Sequence, residues 1–275
     1  MPPARFVTTV LDAAASVPRA LVEGRPLRLA PPDPARLVAF ESVTALALEA
    51  RPAEAAPVVE ACREAARTGD VLYVSVDDSY GGAPDAAGLA REAVEAAGAR
   101  FAHLATGGTL LAAGWPAVLA AEAAARGAGL DGAQEAGRRV TGRAGMLAVV
   151  DHPELADPQT TSGLGIRQRG VARWDGTRIV IAPRPQRDAA LAWLRDLFTA
   201  AVTREAAEAR GRLRVAVVHA AAPSAAEALA LWAGRRSPAT EVTTDAVTRH
   251  AATRLGPGFV AISWVWDGEG QRPVS

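Results

Sequence analysis

The sequence predicts an α/β protein with a mostly parallel sheet and two domains. Apolar runs of strand length, such as VLYVSV at residues 71–76, alternate with amphipathic, alanine-rich stretches. From residue 151 the chain becomes polar and rich in Gly, Pro, Thr and Ser, which is typical of a loop or linker. We therefore expect a parallel-sheet α/β domain at residues 1–150 and a smaller α+β domain at residues 151–275.

The elements of the first domain follow from the spacing of apolar residues. In the stretch 53–67, Val58, Cys62 and Ala66 share one helical face, and the strand 71–76 follows Gly69-Asp70. By the same criteria the remaining elements are a helix at 86–97, a strand at 101–104, a long helix from Gly107-Gly108 to Arg126, a helix at 131–143 and a strand at 146–150.

The second domain contains more antiparallel signals. The segment VARW-DG-TRIVI predicts a hairpin, with Asp175-Gly176 as a two-residue type I′ turn. The other predicted elements are helices at 187–209 and 225–233, and strands at 213–219, 241–244 and 259–266.

Composition excludes several classes of protein. The 275 residues carry no net charge, so binding to nucleic acid is not expected. The sequence contains no lysine, which excludes a lysine Schiff base and a P-loop. The single cysteine, Cys62, forms no intrachain disulfide and no cysteine-based zinc site. With no recognisable signal peptide and no apolar run of about 20 residues, a cytoplasmic protein without a membrane span is expected, and neither a cofactor nor a metal is predicted.

The first candidate site is the segment 77–82, DDSYGG, which directly follows the strand 71–76. In open α/β sheets, ligands bind at the carboxyl ends of the strands, and the two glycines allow close approach of the backbone. The segment predicts an oxyanion or carboxylate pocket, although an ordinary polar turn has the same composition. Asp77 and Asp78 could alternatively form an acid–base or metal-binding pair.

Three further segments combine turn residues with polar side chains. Gly107-Gly108-Thr109 precedes a helix. Its composition fits a helix entry beside a ligand cleft and a plain turn equally well. The cluster at residues 151–154, DHPE, could run acid–base chemistry, but a polar loop is the better interpretation. In TRLGPG at residues 253–258, Arg254 stands beside a strong turn signal and could bind a carboxylate or phosphate.

The order of these features resembles the DegV family of fatty-acid-binding proteins, which are related to the binding subunits of bacterial fatty acid kinase. The resemblance covers most of residues 71–266 and weakens in the first 50 residues. The matching stretches are VLYVSVDDSYGGAPDAA, GGTLLAAGWPAVLAAEAAARGAGLDGAQEA, MLAVVD, RLRVAVVHAAAPSAAEAL and TRLGPGFVAISW.

The resemblance implies a two-domain α/β carrier that buries an acyl chain and holds its carboxylate at a cleft between the domains. It also implies that a separate kinase subunit phosphorylates the bound carboxylate, and that the carrier has no catalytic residues. The implied ligand-binding positions are Ser79, Tyr80, Gly81, Gly82, Trp115, His250, Arg254 and Gly256.

Several positions depart from the family pattern. Gly81 occupies the position of the family's serine, and Arg254 that of its histidine. Glu49-Ala50 replaces a Thr-Ser pair, so an inward-facing Glu49 could pair with Arg254 and leave a pocket for a neutral ligand. The family's N-terminal aspartate falls near Thr8 and Thr9, and its loop arginine corresponds to Arg167 or Arg187.

We therefore expect a lipid-binding carrier with an altered head-group site. One alternative is an acid–base or metal-dependent enzyme that uses the acidic residues Asp77, Asp78, Asp151 and Glu154 with His152. Another is a degenerate relative that binds no lipid and acts only through protein contacts.

Overall fold

The structure is a computed structural model. It describes residues 6–50, 53–78, 82–152, 155, 170–174, 179–183, 186–209 and 211–268. The chain forms two compact units, each built from three stretches of the chain. The described residues of unit 1 lie in Met1–Arg36, Ala50–Arg143 and Thr248–Ala251; those of unit 2 lie in Leu37–Glu49, Ala144–Val247 and Ala252–Ser275.

The described part of the chain contains the following strands and helices. The strands are β1 Val7–Asp12, β2 Leu27–Ala30, β3 Asp70–Ser75, β4 Phe101–Ala105, β5 Gly145–Val150, β6 Gly170–Trp174, β7 Ile179–Pro183, β8 Leu213–His219, β9 Ala239–Ala246 and β10 Val260–Trp266. The α-helices are α1 Val43–Glu49, α2 Ala55–Ala66, α3 Ala86–Ala96, α4 Leu110–Ala125, α5 Leu130–Val140, α6 Arg187–Ala206, α7 Pro223–Arg236 and α8 Arg249–Leu255; two 3₁₀ turns, Ala13–Ala15 and Arg19–Leu21, follow β1.

Unit 1 is built on a four-stranded parallel sheet with the order β2-β1-β3-β4. Val10 of β1 is paired with Tyr73 of β3, and both pack into one core with α2 and α3. Helices α4 and α5 also contact the strands, and α4 is buried along nearly its whole length. Because helices cover the strands of a parallel sheet, β1 and β3 are buried along their length without alternation.

Unit 2 contains a six-stranded sheet with the order β7-β6-β5-β10-β8-β9. Its neighbouring strands are antiparallel except for the parallel pair β8–β9. Helices α6 and α7 contribute to its core, where the ring of Phe198 contacts Trp264 and Trp232 edge to face, at centroid distances of 5.2 and 5.8 Å. Such edge-to-face aromatic pairs stabilise a core beyond the area that they bury.

The architecture confirms the predicted fold class, a parallel-sheet α/β domain followed by an α+β domain. The domain boundary near residue 151 stays a prediction; in the structure β5 pairs with β6 and β10 and belongs to unit 2. The predicted turn residues Asp175 and Gly176 lie outside the described residues. Among the described helices, none is both long and apolar enough to cross a membrane.

Four of the described strands and α-helices were not predicted from the sequence: β1, β2, α1 and α8. Strand β1 has the composition of a buried strand, but its two threonines and the alanine run after it obscure its end. Strand β2 has four residues, and α1 and α8 have seven each. Elements this short have little periodicity of their own, so tertiary contacts decide them.

Candidate functional site

The candidate site of unit 1 is the edge of the sheet where its parallel strands end. The chain passes from β1 to β2 on one side, and β3 and β4 lie on the other, so the strand order reverses between β1 and β3. Ligands of open α/β sheets bind outside the carboxyl ends of the strands at such a reversal. The residues that follow β1 and β3 therefore define the site.

Strand β1 ends in a buried carboxylate, Asp12, which is 1% exposed. Its Oδ1 accepts a hydrogen bond from the backbone N–H of Ala14 at 2.9 Å, and its Oδ2 accepts one from Ala83 at 3.1 Å. Burial raises the pKa of Asp12 above its ordinary value, whereas the two N–H groups and the nearby His250 act in the opposite direction. Asp12 thus connects the end of β1 to the segment that leads into α3.

Asp12 was not identified from the sequence. The family's N-terminal aspartate was placed near Thr8 and Thr9, but both threonines lie buried within β1. The carboxylate at the end of the strand is Asp12, and the match of Thr8 and Thr9 to the family's aspartate stays a prediction. A signal was available, since VTTVLD ends in an acidic residue just as VLYVSVDD does.

A second set of buried hydrogen bonds begins four residues after Asp12. The Ser16 hydroxyl lies 3.0 Å from the Thr248 hydroxyl and accepts the Thr248 N–H at 3.1 Å. The Thr248 hydroxyl in turn donates to the carbonyl oxygen of Ala13 at 3.1 Å. These bonds hold the start of α8, on which His250 lies, against the turn after β1.

A cavity of about 270 Å³ lies beside this turn, entirely within unit 1. Its charged lining residues are Asp12, Glu54, Arg249 and His250, and alanine and proline side chains form the rest of the wall. The cavity therefore combines a largely apolar wall with a few polar groups, which is the usual composition of a small-molecule site.

The segment after β3 is held from two directions. The N–H of Asp77 donates to the carbonyl oxygen of Gly108 at 3.1 Å, and the N–H of Gly82 donates to that of Asp77 at 3.1 Å. Thr106 ties β4 to the same edge, since its hydroxyl donates to the Ser75 carbonyl oxygen at 2.9 Å. The predicted turn at 107–109 is thus part of this edge. Ser79, Tyr80 and Gly81 lie outside the described residues and stay predictions.

Gly82 is required by close backbone packing. A Cβ atom at this position would overlap the carbonyl oxygen of Val76 and crowd that of Asp77. The glycine thus allows a close approach of two backbone segments at this position. Whether a ligand uses that approach stays a prediction.

In unit 2, the acidic cluster after β5 lies against the Gly-Pro-Gly turn. The Arg187 guanidinium pairs with the Asp151 carboxylate and donates to the Gly258 carbonyl oxygen at 2.9 Å. A Cβ at Gly256 would come within 2.9 Å of the His152 ring, and both Gly256 and Gly258 have positive φ, +71° and +85°. Asp151 and Arg187 therefore support the turn, and Glu154 lies outside the described residues.

The remaining predicted site residues are placed as follows. His250 and Arg254 are both half-buried on α8, four residues apart and so on one face of the helix. Trp115 is fully buried in α4. Glu49 is exposed at the end of α1, so it is not the inward-facing, buried carboxylate that the sequence left open. Arg167 lies outside the described residues.

No metal centre is evident in the part of the chain that the structure describes. No group of three or more His, Cys, Asp or Glu side chains there could hold a metal ion. Cys62 is buried, and burial raises the pKa of its thiol to about 12, so the thiol stays protonated at neutral pH.

Comparison with solved structures identifies the fold. A DegV family protein from Thermus thermophilus, described as fatty acid binding, superposes with a TM-score of 0.74 at 17% identity, over 95% of this chain and 99% of its own. DegV from Bacillus subtilis, described as a fatty acid binding protein, superposes with a TM-score of 0.70 at 15% identity. The match covers 96% of this chain and 100% of the B. subtilis chain. A protein from Eubacterium ventriosum, described as binding stearic acid, has a TM-score of 0.73 at 10% identity. The match covers 95% of this chain and 98% of the other.

The chain thus has the fold of the DegV proteins over nearly its whole length, which confirms the predicted resemblance at the level of the fold. No family model matches the sequence, and no curated protein matches it. At identities of 10–17% the three structures establish the architecture of this chain, since a shared fold does not fix the ligand.

Replacing Gly82 by alanine is expected to destabilise the protein, because the new methyl group overlaps a backbone carbonyl that cannot rotate away. We expect a loss of about 1–3 kcal/mol in the free energy of unfolding, measured by urea denaturation. Gly88→Ala is the matched control. Gly88 is exposed within α3 with open space around it, so alanine there should stabilise by about 0.5–1 kcal/mol. Equal effects of the two substitutions would contradict the close packing at Gly82.

The raised pKa of Asp12 predicts a pH dependence of stability. A carboxyl that binds its proton more tightly in the folded chain contributes stability that is complete below its unfolded pKa and is lost as the pH rises through its folded pKa. The unfolding free energy of the wild type minus that of Asp12→Asn should therefore decrease from about pH 3.5 towards neutral pH. Each unit between the two pKa values is worth about 1.4 kcal/mol. A difference that grows with pH would show that the N–H bonds outweigh burial.

Proposed function

We propose that this chain is a cytoplasmic binding protein for a long-chain fatty acid or another elongated apolar ligand, with no catalytic residues of its own. The observation that supports this proposal is the fold, which matches over nearly the whole chain that of proteins described as binding fatty acids. Burial of the acyl chain would supply most of the affinity, at about 25 cal/mol per Å² as an upper bound. In this proposal the protein presents the carboxylate of the bound acyl chain to a separate kinase subunit.

The head group would be held by a few polar groups on the segments identified above. Gly82, with Ser79, Tyr80 and Gly81, follows β3, at the sheet edge where α/β proteins bind ligands. Arg254 is the proposed anion-binding residue, because a guanidinium keeps its charge at any ordinary pH and forms paired hydrogen bonds with a carboxylate.

His250, Gly256 and Trp115 are the proposed wall of the site. His250 lines the cavity beside Asp12, and the backbone of Gly256 packs on His152. Trp115 has no exposed surface. Its proposed contact with an acyl chain therefore requires a ligand enclosed within the protein.

No observation in the described residues favours the alternative enzyme. Asp151, one of its proposed acids, is engaged by the Arg187 guanidinium. Its partner Glu154 lies outside the described residues, and no three-residue metal cluster is found among those described. The carrier is accordingly the function that the structure supports best.

The first experiment is mass spectrometry of the purified protein, under native conditions and after extraction with organic solvent. We expect a co-purified acyl compound, seen both as an added mass on the native protein and in the extract. If none is found, fatty acids at saturating concentration should raise the melting temperature, since a ligand that binds only the folded state stabilises it. The absence of both a bound lipid and a thermal shift would contradict the proposed function and favour the degenerate relative without a lipid ligand.

Replacing Arg254 by alanine is expected to weaken binding of a fatty acid anion. Loss of a charge-assisted hydrogen bond of about 1.5–3 kcal/mol corresponds to an increase of roughly 10- to 100-fold in Kd. Binding of the corresponding fatty alcohol should change less, because it has no carboxylate to pair. Arg236→Ala is the control, since Arg236 is exposed at the end of α7. Unchanged affinity of Arg254→Ala for the anion would exclude Arg254 as the anion-binding residue.

A further inference from the structure

We propose that Asp12 is the positioning residue of the ligand site in unit 1. Its carboxylate fixes Gly82 and Ala83, the described backbone that leads from the predicted ligand-binding turn into α3. This inference rests on the function proposed above. It adds a residue that is not among the ligand-binding positions predicted from the sequence, and one that acts by holding the backbone of the site.

The two carboxylate oxygens of Asp12 bind two different segments, Oδ1 the turn after β1 at Ala14 and Oδ2 the entry to α3 at Ala83. Ala14 and Ala83 are themselves buried, so water does not readily replace either bond. The N–H of the preceding residue, Gly82, is bound to the Asp77 carbonyl oxygen. Two consecutive residues are therefore held, one towards β1 and one towards β3.

The chemistry of the side chain makes an aspartate necessary at this position. A carboxylate presents acceptors in two directions, which is what two converging N–H groups require. An asparagine has one acceptor oxygen and would turn its NH₂ group towards the other N–H donor. A buried donor without a partner is unfavourable, so either Ala14 or Ala83 would shift. No neutral isostere of Asp12 preserves both bonds.

The turn that Asp12 begins also contacts a second segment that contains a predicted ligand-binding residue, the start of α8 with His250. Residues of this turn, Ala13 and Ser16, bind Thr248 at the start of α8. Asp12 and the turn after it therefore hold two segments of unit 1 that contain predicted ligand-binding residues. One is the backbone at Gly82 and Ala83, and the other is the first turn of α8 with His250. Asp12 and His250 both line the cavity of about 270 Å³ beside it. A displaced Asp12 therefore changes the shape of the cavity as well as the position of Gly82.

The test separates positioning from stability by comparing Asp12→Asn with Val10→Ala. Val10 lies two residues earlier in β1, is fully buried, and contributes packing without a side-chain hydrogen bond. Binding is measured with the fluorescent fatty acid cis-parinaric acid, at a temperature where each variant is folded. We expect the Kd of Asp12→Asn to rise about tenfold or more, and that of Val10→Ala to stay within about twofold. Equal Kd values for Asp12→Asn and the wild type, or equal losses in both variants, would overturn the inference.

A second variant covers the case in which Asp12→Asn does not fold. Asp12→Ser keeps a short acceptor for Ala14, as serine does at helix starts, but cannot reach Ala83. It therefore removes the Ala83 bond alone and should weaken cis-parinaric acid binding by a similar factor. Full affinity in Asp12→Ser would overturn the inference.

Amide hydrogen exchange provides a readout that does not depend on the ligand. The Ala83 N–H should exchange at least tenfold faster in Asp12→Ser than in the wild type, while the N–H groups within β3 keep their protection. If the wild type binds no fatty acid, the proposed function fails, and the exchange rate of Ala83 decides whether Asp12 holds the backbone at the entry to α3. Unchanged exchange at Ala83 would overturn the inference in that case also.

Discussion

The carboxylate of Asp12 is the group on which the arrangement of the candidate site in unit 1 depends. A buried carboxylate is costly unless hydrogen bonds replace its hydration. Here backbone N–H groups from two separate segments supply those bonds, so the residue is tolerated only if both segments take their native positions. The cost of burial appears in its raised pKa. Burial of the Asp12 carboxylate, which is unfavourable without its two hydrogen bonds, thus specifies the geometry of three chain segments. These are the end of β1, the turn after it, and the entry to α3.

The parallel sheet explains why this carboxylate lies beside a cavity. Strands β1 and β2 are parallel neighbours, and the cavity is lined by residues at the carboxyl ends of both, Asp12 to Ala14 and Ala30 to Pro31. Ser16 and Thr248 close one side of this space by bringing the start of α8 to the turn. In unit 2 the corresponding support is an ion pair, because Arg187 joins Asp151 to the Gly-Pro-Gly turn. In each unit a buried or half-buried carboxylate orders the backbone of a predicted site segment.

Local sequence patterns predicted most of the regular structure. Strand β3, helix α2 and the hairpin strands β6 and β7 have apolar spacing strong enough to be recognised without neighbours. The four-residue strand β2 does not, and its existence depends on pairing with β1. The candidate site was predicted in part. Gly82 was identified by its turn chemistry, and Asp12 was missed although it ends a strand; its bond to Ala83, 71 residues away, has no local signal in the sequence.

The sequence by itself determined the class of the fold and the segments from which a site could be built, because periodicity and turn residues are local properties of the chain. It also excluded lysine chemistry and a disulfide within the chain, since those depend only on composition. The tertiary structure alone decided which polar groups meet. Asp12 with Ala83, Ser16 with Thr248, and Asp151 with Arg187 are pairings across 36 to 232 residues. Hydrogen bonds and ion pairs act over a few ångströms in space, and separation along the chain carries no information about that distance.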